Sequence, residues 1–226
     1  MKEKFMIRES FAKHIKALET EIVGMSEMVV GAVNHSVDTL KKQDVAEAEK
    51  IIAADSLINK KRWEIEERCI NLIALQQPVA TDLREIIAVL SITTDLERMG
   101  DYAEGIAKIV VMLGKEPLVK PLVDIPEMAK IATSMLKKSM EAFIKRDAEA
   151  AKAICNEDDN VDKLYDQVYH DLLKCMIEDP KTISKATPLI WAAHNLERIA
   201  DRVTNICERI AYLSTGTMQE INVSKY

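Results

Sequence analysis

Glu97 and Asp101 stand four residues apart in "LERMGD", and Glu197 and Asp201 repeat the spacing in "LERIAD". Residues four apart share one face of a helix, so each motif sets two carboxylates one turn apart. Glu97 and Asp101 continue the row Leu83, Ile87, Leu90, Thr94; Glu197 and Asp201 continue the row Ile190, His194. Both rows flank an apolar seam. This predicts carboxylates turned toward a groove between helices, at least half buried. Two such groups repel each other, and basic partners, shifted pKa values or a cation must offset the charge.

A second pair answers each motif. Asp158 and Asp162 lie in line with Ile154 and Val161, and Asp55 and Asn59 are their counterparts, in line with Ile51 and Ile58. Antiparallel packing of the helices concerned brings pair to pair. The second half then offers four carboxylates, the first three carboxylates and an amide. An oxygen-rich set of this kind suits a hard or borderline cation: iron, manganese, magnesium or zinc. The competing reading is a metal-free scaffold in which Arg62, Arg84, Arg98 and Arg198 form salt bridges with the acids. Four pairs at matching places favour the metal. His194 lies one turn before Glu197, but Thr94 holds the matching place, so it reads as a hydrogen-bonded histidine rather than a ligand. His14, His35 and His170 have no motif around them. Trp63 and Trp191 read as packing anchors, and the methionines of the first and fourth helices as core.

The elements that must position these groups are helices. Of the 226 residues, 48% are apolar and 30% charged, and only six are glycine and six proline, too few turn formers for an all-β fold. A first apolar stripe runs from Phe11 through Ile22, Val29 and Leu40 and ends at "KKQD", 41–44. A second runs from Val45 through Ile58 and Cys69 to Leu72 and stops before Pro78. The third starts after Pro78, with Thr81 or Asp82 as its cap, and ends at Gly114. Residues 114–126 hold three prolines and read as a linker. A fourth helix carries Met128, Met135 and Phe143, a fifth spans about 147–178, and a sixth about 185–213. The last dozen residues are polar and read as frayed. Residues 44–59 overlie 147–162, and 95–107 overlie 195–207, with the register shifting in the turn between second and third helices. The expectation is an all-α chain of six long helices in two tandem, pseudo-symmetric three-helix bundles: residues 1–114, a linker 115–126, and residues 127–226 with a polar tail.

The net charge of −6 and the absence of a basic block argue against direct nucleic-acid binding. No apolar run reaches bilayer length, and the first residues lack the apolar core of a secretion signal, which predicts a cytoplasmic protein. Cys69, Cys155, Cys175 and Cys207 have neither metal-finger nor redox spacing and read as reduced, buried hydrophobes.

The duplicated "LERMGD … LERIAD", with "QQPVATDLREI" before the first copy, closely resembles the PhoU family of phosphate-uptake regulators, over nearly the whole chain. The resemblance implies two three-helix bundles in a cytoplasmic homodimer, peripheral to the membrane through its partners. Those partners are a phosphate-specific ABC transporter and a sensor histidine kinase, with which the family holds the phosphate-starvation response off when phosphate is plentiful. It also implies metal clusters, iron or zinc before manganese or magnesium, held through E/D-x-x-x-D motifs that match Glu97/Asp101, Glu197/Asp201 and Asp158/Asp162. Asn59 departs from that pattern, which predicts a first-half site that is weaker, holds fewer ions or is empty. No enzyme activity is implied. A carboxylate-bridged metalloenzyme of the ferritin-like kind is the other class to weigh; it needs Glu-x-x-His motifs, which this chain lacks. Nor is there a phosphate-binding loop, nucleophile elbow or zincin motif.

Overall fold

The computed structural model describes residues 2–218, 220 and 221, with side chains from residue 11 on. Among these residues there is no strand. The first three stripes become α1 (Lys2–Lys42), α2 (Val45–Gln76) and α3 (Thr81–Leu113). After a connection over 114–123 come α4 (Asp124–Lys145), α5 (Ala148–Cys155), α6 (Asp158–Glu178) and α7 (Ile183–Thr215), with a short 3-10 turn at Pro180–Thr182 before α7.

Helices α1, α2 and α3 form one antiparallel bundle; α4, the α5–α6 pair and α7 form the other. The turn after the first helix is built the same way twice. Gln43 and Arg146 adopt left-handed backbone (φ 53 and 54). Asp44 and Asp147 then cap the next helix, accepting from Glu47 N at 3.1 Å and Ala150 N at 2.9 Å. Ser36 and Ser139, buried at matching places, each donate back to a carbonyl one turn earlier. These coincidences extend the repeat into α1 and α4.

The bundles join mainly through α3 against α7 and α1 against α4, and their buried side chains form one continuous core. Close approach at the α3–α7 seam has a local cause: a Cβ at Gly105 would lie 2.9 Å from Asn195 Nδ2. Across the pseudo-twofold, Asp95 occupies the place of Asn195 and receives Arg202 at 3.3 Å and Asn205 at 3.4 Å. At one end of the seam, Arg146 reaches Glu85 and Glu19 of the first bundle.

Five sequence expectations change. Neither Thr81 nor Asp82 caps α3; Ala80 stands at that position with positive φ, and no side chain bonds the helix start. The fifth helix is interrupted at Asn156–Glu157, so its halves are α5 and α6. Asn156, Asp158, Asp159 and Asn160 compete with helical backbone bonding, whereas Ala53 and Ala54 at the places of Asn156 and Glu157 let α2 run on. Trp63 and Trp191 are not packing anchors: they are 64% and 50% exposed, on the outer faces of α2 and α7. Of the expected frayed tail, residues 219 and 222–226 lie outside the described residues, and Ile221 is tied back, its N–H donating to Glu208 at 3.1 Å. Pro126, expected in the linker, lies in the first turn of α4, where a missing N–H costs nothing. Cys69, Cys155 and Cys207 are buried and free, and Cys175 is half-buried.

Candidate functional site

Pairing of the second and third helices in each bundle brings the predicted carboxylates face to face. In the first half, Asp55 of α2 sits beside Gly100, where a Cβ would be only 3.1 Å from Ile58. The small residue therefore lets α3 close on α2 at the site. Glu97 is buried and Asp101 half-buried. Burial is the main force raising the Asp55 carboxyl above its usual range, followed by Glu104, Asp101 and Glu97. Side chains of the same half pair Glu97 and Asp101 with cations and give Asp55 a neutral amide. Asn59 Nδ2 donates to Asp55 at 2.7 Å. Arg62 donates to Glu97 Oε1 at 2.6 Å and to Glu66 at 2.7 Å. Arg98 donates to Asp101 at 3.2 Å.

The second half carries more uncompensated charge. Asp158 is 5% exposed and opens α6; Asp162 follows one turn later at the more exposed rim. Burial, then Asp162, Asp201 and Glu197, push the Asp158 carboxyl up to about 7. Partial burial, then Glu197 and Asp201, push Asp162 up to about 6. Asp201 is also raised, by burial and Glu197, against the pull of Arg198, which donates to it at 2.9 Å. His194 Nδ1 lies 3.2 Å from Glu197 Oε2 and its ring packs near Tyr165.

All eight predicted residues thus lie in two groups, one per bundle. Sequence reasoning missed Glu104, although Glu97, Asp101 and Glu104 follow one helical face at steps of four and three. It also missed Asp95, whose carboxyl is raised chiefly by burial at the bundle seam; only its place directly before the Leu-Glu-Arg motif hinted at a role.

Whether a metal fits is a question of donors and of arrangement. The donors are oxygen-rich. Two buried oxygens, Glu97 Oε2 and Asp158 Oδ1, have no hydrogen-bond partner, and such atoms are costly unless something else satisfies them. Arg98 Nε stands 3.6 Å from the former, beyond hydrogen-bond reach. In the arrangement described, however, no three His, Cys, Asp or Glu side chains among the described residues converge as ligands of one ion. Coordination therefore requires side-chain rotation, and in the first half the release of Arg62 or Arg98.

The family model described as PhoU domain matches the chain twice, over residues 22–110 and 125–210. The chain belongs to the PhoU family. Relatives of the family named phosphate-specific transport system accessory protein PhoU homolog include one from Clostridium acetobutylicum, 38% identical over 96% of this chain and 100% of its own length. Another, from Aquifex aeolicus, is 40% identical over 90% of this chain and 92% of its own. The crystal structure of the phosphate transport system regulatory protein PhoU from Streptococcus pneumoniae superposes with a TM-score of 0.86 at 33% identity, covering 92% of this chain and 99% of that one. PhoU from Pseudomonas aeruginosa gives 0.86 at 32%, covering 92% and 100%. Both PhoU matches fall on the two bundles. No described helix is long and apolar enough to cross a membrane.

Proposed function

We propose that this protein regulates phosphate uptake and phosphate-starvation signalling, without catalysis of its own. It would do so in the cytoplasm, as a homodimer, by docking on a phosphate-specific ABC transporter and a sensor histidine kinase. The observation that carries this reading is the match to accessory proteins of phosphate transport over 90–96% of this chain and 92–100% of theirs. Deleting the gene is expected to leave phosphate-starvation genes switched on in phosphate-rich medium. Normal repression in a deletion strain without a second family member would overturn it.

The same reading places a metal ion, iron or zinc before manganese or magnesium, in the second-half group of Asp158, Asp162, Glu197 and Asp201. The orphaned oxygen of Asp158 and the surplus of negative charge support it. A second reading has its own observation: Arg62 on Glu97, Arg98 on Asp101 and Arg198 on Asp201 are the ion pairs of a metal-free scaffold. Elemental analysis of untagged protein, with thermal melts before and after chelation, separates the two. A metal-free protein whose melt ignores chelator returns these carboxylates to the scaffold.

A further inference from the structure

The two bundles also differ beside the carboxylate pairs. Between α1, α2 and α3 of the first bundle lies an open cavity of about 260 Å³. Its floor is apolar: Met28, Ala32, Ile51 and Ile58. Its mouth carries two half-buried carboxylates, Asp55 and Glu104. Several of its lining residues are smaller than those at the matching places of the second bundle. Ala32 stands where the repeat has Met135, a fully buried side chain. Gly31 replaces Ser134, Ala54 replaces Glu157, and Gly100 replaces Ala200. In the second bundle the outer rim is closed by an ion pair of its own: Lys138, the counterpart of His35, binds Glu157 through both oxygens at 2.9 and 2.7 Å. In the first bundle the carboxylate comes instead from Glu104, where the repeat has Thr204, and α1 supplies no lysine.

We infer that the first-bundle cavity receives a lysine or arginine side chain from a docking protein, its aliphatic stem on the Met28–Ala32–Ile58 floor and its charged head between Asp55 and Glu104. The volume is below that of a drug-sized ligand site but ample for one long side chain. Long basic side chains combine an apolar stem with a charged end, which is the pattern of this cavity. The present cations leave charge to spare. Asn59 donates a neutral amide to Asp55, and the ammonium of Lys108 on Glu104 stays largely exposed. The surroundings suit a protein rather than a free amine: a Cβ at Gly24 or Gly31 would meet nothing, and Leu57 at the rim is 57% exposed. Open space at these glycines lets another helix or turn approach closely, and arginine is enriched among the anchors that dominate interfaces. The inference rests on the reading that the protein works by docking on protein partners.

The test is made on the isolated, chelator-treated chain with methyl-labelled methionine, the Met28 resonance being assigned through Met28→Leu. Butylguanidinium is titrated as the arginine mimic, with guanidinium and 1-butanol as its charged and apolar halves. The expected result is a saturable shift of the Met28 methyl by butylguanidinium, at least tenfold tighter than by either half. Ala32→Met, which refills the floor as the second bundle does, should abolish it. Glu104→Thr should weaken it at least fivefold and leave the melt within a few degrees of wild type, so the test survives if Ala32→Met fails to fold. Equal binding of 1-butanol, or a shift unchanged in Glu104→Thr, overturns the inference. In cells, Glu104→Thr at wild-type abundance should derepress phosphate-starvation genes, as the deletion does. A deletion that derepresses while Glu104→Thr stays silent overturns the inference alone. A silent deletion strikes the regulatory reading, while the Met28 titration still decides the cavity.

Discussion

The first and second carboxylate groups descend from one ancestral arrangement and have reached opposite electrostatic solutions. At the place of Asn59 the second half has Asp162, and at the place of Arg62 it has Tyr165. One exchange adds a negative charge and the other removes a positive one. Arg62 holds Glu97 in the first half; the Tyr165 ring cannot do so for Glu197, which turns to His194 instead. The outcome is visible in the carboxyls themselves. Asp55 is raised, but Asp158 is pushed as far as about 7 and Asp162 to about 6. A group of acids can be kept in a helix seam either by building in the cation or by leaving room for one from solution. The first half does the former for Glu97 and Asp101; the proposed metal would make the second half a case of the latter.

The sharpest way to break this comparison is to measure bound metal. Replacing Glu197 and Asp201 with Ala is expected to remove most of it, and replacing Glu97 and Asp101 much less, as read by mass spectrometry of the untagged protein. Equal loss would abolish the asymmetry. Exchange of the two distinguishing residues should move the metal rather than merely lose it. Asn59→Asp with Arg62→Tyr should create a second site in the first half, with a chelator-sensitive melt; Asp162→Asn with Tyr165→Arg should empty the second half. Site charge is among the terms that set cation affinity at oxygen sites, so effects of at least tenfold in affinity are expected.

Much of this was legible in the sequence, and the reasons are local. Helix existence followed from apolar periodicity sustained over many turns, and the repeat placed all four pairs on facing helices. The charge difference at Asn59 was readable because it lies within a motif. The role of Arg62 was only half readable: it was available as a salt-bridge donor, but its pairing with Glu97 depends on which α2 face turns to α3. The interruption at Asn156 was missed because the apolar stripe passes through it unchanged, and periodicity reports faces rather than backbone continuity. The exposed tryptophans were misread because size was taken as a sign of burial. Trp63 lies two residues before the buried Ile65, more than half a turn around the helix. The Glu104 cavity was invisible because it is made by small residues on three helices.

The next effect concerns pH in the metal-free protein. The Asp158 and Asp162 carboxyls sit above the ordinary 3.8 when folded, so the folded state holds more protons than the unfolded one between about pH 4 and 7. Stability should therefore fall as pH rises through that window. The penalty is absent below about pH 4 and complete above about pH 7. The rise at Asp158 corresponds to at most about 4 kcal/mol, reduced by solvent screening at the open side of the group. The melting temperature of chelated protein should be several degrees higher at pH 5.5 than at pH 8, and Asp158→Asn should raise the pH 8 value and flatten the slope. Added metal should invert the trend, because protonated carboxylates are poor ligands. A chelated protein that is more stable at pH 8 than at pH 5.5, with Asp158→Asn no better than wild type, would show that the second half is neutralised some other way.

The smallest expected effect tests whether the helix interruption belongs to the second-half site. In α2 the chain passes Ala53, Ala54 and Asp55 without a break; in the repeat, Asn156 and Glu157 end α5 and Asp158 begins α6. The interruption places Asp158 and Asp159 in a first turn, where unbonded N–H groups favour negative charge, and it frees Glu157 to pair with Lys138. A continuous helix would give Asp158 neither advantage. Asn156→Ala improves helix propensity by about 0.6 kcal/mol and should stabilise the metal-free protein by no more than that. It should at the same time weaken metal binding severalfold, as the first turn of α6 is absorbed into a longer helix and Asp158 loses its position. The opposite signs are what make the small effect informative. A variant that gains stability and keeps full metal affinity would mean that the interruption is a tolerated irregularity, and that charge alone separates the two halves.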